Sequence, residues 1–339
     1  MRNIGWDFII MTSDLILNSK KKCLSGESLT RSEIISLLEI PLGSNDDKLL
    51  RKTAKEVSHT LTHSSAYIWS AVGADYAPCT MNCDFCSLGE KWGIIKDSKI
   101  FSDDEIIASI NSFVTSGARF VVLRTTEFYS IDTLIALVKK IRAEVTGKYE
   151  IILNTGEFDI EFAEKMYKNG VDGVYHALRI GEGSDTPFDP NARIATMNSV
   201  CQSPLKLISL VEPIGIEHTN EQIADLFQTM LQYKPEISGA MARFPVDGTP
   251  LGKLPMLSES RLAQIIAVLR LSGGNIVSDI CVHPASKEAL ESGANVVVVE
   301  KGAIPRDNKI SDMEWSDFSI DTAKDLLTSC GFTVRSCVE

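Results

Sequence analysis

Along the 339 residues, apolar and polar positions follow two alternating rhythms. Apolar runs of strand length recur at 67–72, 120–124, 150–154, 173–179, 205–211, 238–244, 275–282 and 296–300. The segments between them, 103–115, 131–145, 159–169, 191–200, 220–232, 259–271 and 285–291, carry apolar residues at helical spacing. Gly117, Gly147, Gly170, Gly274 and Gly293 punctuate the predicted helix ends, where a left-handed cap favours glycine. Eight strands alternating with helices predict a parallel α/β domain, most simply a (βα)8 TIM-type barrel. A doubly wound open sheet is the alternative.

Residues 1–62 read as an N-terminal helical extension. The stretch from Ser28 to Leu38 has a capping start and helical spacing, Pro41 and Gly43 break it, and 46–63 reads as a second helix. The barrel is assigned to 63–318, and 319–339 to a C-terminal helix and tail. In such a barrel, chemistry gathers where strands end. That rule selects Arg124 and Glu127, Asn154, His176 with Arg179 and Glu182, Glu212 with Glu217, Arg243, and Asp279 with Cys281 and His283.

Composition narrows the class. With 44% hydrophobic and 23% charged residues the chain reads as a globular protein. A net charge of −11 argues against a nucleic-acid surface. No run of about 20 apolar residues predicts a membrane span, and the first eleven residues are too short and interrupted for a secretory signal. Eight cysteines, mostly scattered, do not form a disulfide framework and suit a reducing cytoplasm.

Three cysteines do cluster. Cys79, Cys83 and Cys86 stand at C-x3-C-x2-C, directly after the first predicted strand. Thiolates at that spacing can converge on an iron–sulfur cluster, which usually takes four. Three ligands on a cubane leave one iron open for chemistry. A structural zinc ion needs four ligands, and no fourth Cys or His lies nearby in sequence.

The cysteine stretch, with Phe85 before the last Cys, resembles the signature of the radical S-adenosylmethionine (SAM) enzymes. The chain from about residue 20 to 335 is similar to their biotin synthase-like branch, which includes methylornithine synthase and the maturase of [FeFe] hydrogenase. Leu123-Arg124-Thr125-Thr126-Glu127 occupies the place of the family's Gly-Gly-Glu segment, with two threonines for its glycines. The turn 213–219 resembles the family's Gly-x-Gly-Glu-Thr turn. The stretch 244–251 resembles its Pro-x-x-Gly-Thr-Pro-Leu turn, and 282–297 its last βα unit with Gly293-Ala294-Asn295.

The resemblance implies a [4Fe–4S] cluster on Cys79, Cys83 and Cys86, with SAM bound at the open iron. One-electron cleavage then yields a 5′-deoxyadenosyl radical that abstracts hydrogen from a small-molecule substrate. It further implies a reductant such as flavodoxin or ferredoxin and an anaerobic or microaerobic setting. Glu127 is the candidate for the SAM amino group, with Asn154, Arg179, Arg193 and Glu217 as further cofactor contacts. Arg124, Arg243, Asp279 and His283 are candidates for substrate, and Glu212, His176 and Cys281 for catalysis. Several of these have plainer readings. Glu127 can start the next helix, Asn154 can cap one, Arg193 can be a solvated helix residue, and His176 can be a satisfied core histidine.

The remaining cysteines bear on reaction type. Biotin synthase holds a second, sulfur-donating cluster inside its barrel with three cysteines and an arginine. Here only Cys281 is expected to point inward, and Cys201 falls on the helix side. Arg335-Ser336-Cys337 resembles the Arg-Ser-Ser ending of lipoyl synthases. Cys23, Cys201 and Cys330 read as small buried hydrophobes. The leading expectation is hydrogen abstraction from a small polar metabolite or cofactor precursor. Sulfur insertion with a second cluster, a non-catalytic carrier of cluster or ligand, and a zinc hydrolase are the alternatives.

Overall fold

The apolar run Ser65–Gly73 forms the long strand β1, and the chain then builds a closed barrel around it. The computed structural model describes residues 4–302 and 318–335. The strands that follow are β2 (Asp75–Tyr76), β3 (Lys99–Ile100), β4 (Phe120–Arg124), β5 (Glu150–Asn154), β6 (Gly173–Tyr175), β7 (Lys206–Ile208), β8 (Val211–Ile214), β9 (Ile237–Ala242), β10 (Asp279–His283), β11 (Val296–Lys301) and β12 (Thr333–Val334). Round the barrel the order is β1, β4, β5, β6, β7 with β8, β9, β10 and β11, all parallel. β9 pairs with β10 and β11 with β1, which closes the sheet and settles the choice against an open one. β7 and β8 are one barrel strand interrupted at Ser209 and Leu210, so the closed wall has eight positions.

Strand alternation separates two cores. Trp69 and Ala71, Phe120 and Val122, Ile152, Tyr175, Ile208, Leu210, Ile237, Cys281, Val296 and Val298 point inward and fill the barrel. Their sequence neighbours, such as Ile68, Val121, Leu153 and Val297, point outward under the helices. The covering helices are α4 (Asp103–Thr115), α5 (Ile131–Glu144), α6 (Ile160–Lys168), α7 (Pro190–Gln202), α8 (Asn220–Leu231), α9 (Glu259–Gly273) and the short α10 (Lys287–Leu290). Each begins at a Ser, Thr or Asp whose side chain accepts a backbone N–H, as at Ser102 before α4 and Thr219 before α8.

Before the barrel come α1 (Ile4–Ser25), α2 (Arg31–Leu38) and α3 (Asn45–Thr62). The capping residue of α2 is Thr30, which forms a reciprocal box with Glu33. α1 and α3 pack on α9, and α2 packs on α8 and α9. α11 (Ile320–Ser329) leads into β12, which adds to the start of β1.

Several expected elements are shorter or shifted. The fourth predicted strand stops at Tyr175, because the chain turns off to place His176 to Arg179 over the barrel mouth. The seventh begins at Asp279, since 275–278 still belong to the connection from α9. The small antiparallel pair of β2 and β3 had no clear periodic signal, each strand being two residues long.

Asn295, from the Gly-Ala-Asn stretch, ties the base of the barrel together. It is fully buried. Its Oδ1 accepts from the Ile280 N–H at 2.9 Å and from Arg270 at 2.8 Å, and its Nδ2 donates to the Ser65 carbonyl at 3.2 Å and to Asp279 at 2.6 Å. All of its hydrogen-bonding capacity is therefore spent on β10, β1 and α9.

Candidate active site

A cavity of about 240 Å³ opens at the C-terminal end of the barrel strands, and the three cysteines of the C-x3-C-x2-C stretch line its wall. The loop that carries them is pinned at many points. Cys79 bonds the Leu88 carbonyl through its N–H at 2.6 Å, and its own carbonyl accepts from Glu90 at 3.1 Å. Asn82 takes a left-handed backbone, and its Oδ1 accepts from the Lys91 N–H at 2.9 Å. The Trp92 indole donates to the Cys83 carbonyl at 3.3 Å, packed so closely on Gly89 that a Cβ there would overlap the ring. Two distant turns clamp the same loop. The Asp84 N–H donates to the Asp185 carbonyl at 2.8 Å, and its carbonyl accepts from Leu251 at 2.9 Å. The Gly248-Thr249-Pro250-Leu251 turn is thereby a brace for the cysteine loop.

Burial pushes the Cys83 thiol up to about 12, with Arg179 opposing and Cys86 and Cys79 adding to the rise. Cys86 is likewise raised by burial. Three neutral thiols facing one another in a desolvated wall suit the binding of a cationic inorganic centre, which draws off the protons as it is ligated. Among the described residues no group of three or more His, Cys, Asp or Glu stands as a ready site for a single metal ion.

Beside the cysteines, β4, β5 and β6 contribute a charged network. Glu127, after β4, shares a hydrogen bond with Glu157, after β5. Burial and then that carboxyl neighbour push Glu127 up to about 8, so the pair keeps a proton in neutral solution. A Cβ at Gly156 would stand 2.5 Å from the Glu127 carbonyl oxygen, so only glycine allows this approach. The β4 end is held by Asp75, which accepts from the Thr126 N–H at 2.7 Å and from the Thr126 hydroxyl.

Arg193 lies 3.2 Å from Glu157 and 3.5 Å from Glu182, and Glu182 is also 3.2 Å from Arg179. Both arginines stack on Phe188, at 4.2 and 5.3 Å. His176 is buried against this network. Burial first, then Arg193 and Arg179, hold its pKa well below the usual histidine value, so the ring is neutral. Deeper in, the Tyr175 hydroxyl donates to Glu212, and Arg124 pairs with Glu300 of β11. His283 is 3.7 Å from Glu300 and tilts against Phe244.

Among the described residues, Trp69 Nε1, Arg124 Nε, Thr155 Oγ1, His176 Nε2 and Arg193 Nη2 in the cavity lining are buried and lack a hydrogen-bond partner. Leaving such groups unpaired costs about 1–3 kcal/mol each. Their convergence on one space marks a binding site for a polar ligand.

The structure brings Cys79, Cys83, Cys86, Arg124, Glu127, Asn154, His176, Arg179, Arg193, Glu212, Arg243 and His283 to this cavity. Arg193 is 2% exposed, not a solvated helix residue. Three sequence candidates stand elsewhere. Asp279 opens β10 at the far end of the barrel and is bound to Asn295, because the strand runs from it towards His283. Cys281 does point inward, but it is packed in the apolar filling below the cavity. Glu217 is outside the lining and holds the Arg243 guanidinium through two contacts, one at 3.0 Å. Gly215 leaves room for that pair, since a Cβ there would overlap Arg243.

Glu300, Glu157, Tyr175 and Trp69 were not singled out from the sequence. The glutamate inside the run Val296-Val297-Val298-Val299-Glu300 was the available signal, since it shares the inward face of Val298. Cys23 and Cys330 are buried as expected, but Cys201 is exposed on α7 with its Sγ 3.5 Å from the Tyr233 carbonyl. Ser336 and Cys337 lie outside the described residues.

No family model matches the chain. Among curated proteins it is 26% identical to the biotin synthase of Clostridium botulinum (strain Hall) over 340 residues, 94% of this chain and 99% of that one. It is 24% identical to the biotin synthase of a Sulfurihydrogenibium species over 276 residues, 76% of this chain and 79% of that one. Among solved structures it superposes on methylornithine synthase (PylB) with a TM-score of 0.78 at 18% identity, covering 93% of this chain and 97% of that one. The match to HydG, a maturase of the [FeFe]-hydrogenase, has a TM-score of 0.77 at 14% identity, covering 95% and 76%. These likenesses support a place beside the biotin synthase-like branch of the radical SAM enzymes. Enzymes of this branch work with a [4Fe–4S] cluster and SAM, and the residues present fit both. Three thiols share one wall for the cluster, and buried unpartnered donors and acceptors flank them for a zwitterionic nucleoside. Among the described residues no helix is long and apolar enough to cross a membrane.

Proposed function

We propose that this radical SAM enzyme abstracts a hydrogen atom from a small polar metabolite bound inside the barrel, in rearrangement or carbon–carbon chemistry and not in sulfur insertion. The observation that carries this reading is the cavity itself, which runs from the three cysteines down to Tyr175, Glu212 and Arg124 with no further thiol in its lining. Among the described residues Cys281 is the one sulfhydryl of the barrel interior, and it is buried in apolar packing. A second cluster needs several sulfur ligands within reach of one another, and Cys23 and Cys201 sit on outer helices while Cys330 caps the end of α11.

Bound on Cys79, Cys83 and Cys86, the cluster would supply the electron that cleaves SAM into methionine and a hydrogen-abstracting radical. The chain's own residues do the rest. Glu127, sharing a proton with Glu157, meets the SAM ammonium as that proton leaves to solvent and the carboxylate accepts the ammonium N–H. Arg193, with Nη2 unpartnered, meets its carboxylate. Thr155 and Asn154 line the wall beside them for ribose hydroxyls. The braced cysteine loop holds this arrangement over the barrel mouth, and the apolar filling below keeps bulk water from the reacting carbon.

Anaerobic reconstitution with iron and sulfide, followed by SAM and dithionite, tests the reading. The expected result is roughly four irons per chain and release of 5′-deoxyadenosine. Roughly eight irons, or labelled sulfide passing into a product, would favour sulfur insertion. Bound cluster without deoxyadenosine would favour a carrier.

A further inference from the structure

Two polar sets of the cavity lining take no part in the roles above, and they face each other. In the strand order round the barrel, β1, with β4 beside it, stands across from β8, with β6 beside it, and β5 lies between β4 and β6. On the first wall, Trp69 Nε1–H and Arg124 Nε–H are buried without hydrogen-bond partners, while Arg124 Nη1 is engaged by Glu300. Both free groups can only donate, so they call for an oxygen acceptor. On the second wall, Glu212 is 6% exposed and accepts from Tyr175. Burial raises its pKa, with Arg179, then the Tyr175 hydroxyl, Arg124 and Arg193 opposing; it makes no ion pair among the described residues, and Arg179 is bound to Glu182. A buried carboxyl group with no cation in direct contact is costly to ionise, so this wall calls for a positive donor. The lining between the two is apolar, with Ala71, Leu210 and Val298.

We infer that the substrate is a small aliphatic amine carrying a carboxylate or carbonyl oxygen a few carbons away, with the amine on Glu212 and the oxygen on the N–H groups of Trp69 and Arg124. The carbon chain then crosses the apolar strip under the SAM site and presents its C–H bonds upward. This assignment rests on the radical reading above, but it makes a claim about recognition that binding alone can test.

The experiment is calorimetric titration of the anaerobically reconstituted enzyme with SAM present. The probes are α- and ω-amino acids of two to six carbons, with alkylamines and alkanoates of the same lengths. At least one amino acid is expected to bind tenfold or more tighter than both its matched amine and its matched acid. Glu212→Gln should remove the advantage over the acid. Trp69→Phe, which keeps an aromatic ring and deletes the N–H, should reduce the advantage over the amine several-fold. The inference is overturned if alkanoates bind as tightly as amino acids, or if no amino acid binds. Deoxyadenosine release is scored on the same preparation, so its absence refutes the radical reading separately.

Discussion

Arg124 at the end of β4 pairs with Glu300 on β11 across the intervening strand β1, where the inward side chain is the small Ala71. The pair is almost fully enclosed, with side chains 15% and 5% exposed. Its two charges compensate each other in a place where neither could be hydrated. Removing one partner of such a pair is worth about 3–5 kcal/mol. Glu300→Gln is therefore expected to destabilise the cluster-free protein by roughly that amount. Arg124→Gln on top of it should recover part of the loss, because no lone charge is then buried. Urea unfolding of the two variants and the double variant measures the coupling, and strict additivity would show that the pair is not a unit.

Cys83→Ala is expected to lose cluster binding and SAM cleavage together. Its thiol is one of three in the cavity lining among the described residues, and Cys281 is packed in the apolar filling below. The iron content and the absorbance near 400 nm of the reconstituted variant check this. Wild-type deoxyadenosine release from it would contradict the ligand assignment.

The Glu127 and Glu157 pair predicts a pH dependence. Glu127 binds its proton more tightly folded, at about 8, than in an unfolded chain, where a glutamate titrates near 4.3. The folded state thus holds more protons between these values, and its stability falls as pH rises through that window. In Glu127→Gln this contribution is gone. The variant should therefore gain stability relative to wild type from pH 5 to pH 8.5, as read by urea midpoints of the cluster-free proteins. A constant difference across that range would refute the shared proton.

Asn295→Ala is expected to cost about 2–4 kcal/mol, since it strands the Ile280 N–H and part of the Arg270 guanidinium in a dry site. The effect should appear in thermal unfolding. Cluster content per folded chain should be little changed, because Asn295 is at the opposite end of the barrel from the cysteines. Loss of the cluster from protein that still folds would mean the two ends are coupled.

Much of the fold was legible because period-2 and helical spacing report burial directly, and closed parallel strands need both faces covered. The cysteine triplet was legible because its spacing is local. Glu300 was hidden for the opposite reason. A single acidic residue after four valines takes its meaning from Arg124, 176 positions away in sequence. Asp279 was misplaced because a polar residue beside a strand reads the same at either end until the strand's direction and bounds are known.

Residue order alone determined an alternating β/α chain, a loop of three converging thiols, and a likeness to one branch of enzymes. The tertiary structure decided what the amino-acid order could not express. It closed β9 on β10, sent Cys281 below the cavity, exposed Cys201, and set the free N–H groups of Trp69 and Arg124 across from Glu212. Local spacing encodes which face of an element is buried, but which charges meet across a barrel depends on strand register and closure, and these emerge only when all eight strand positions are in place.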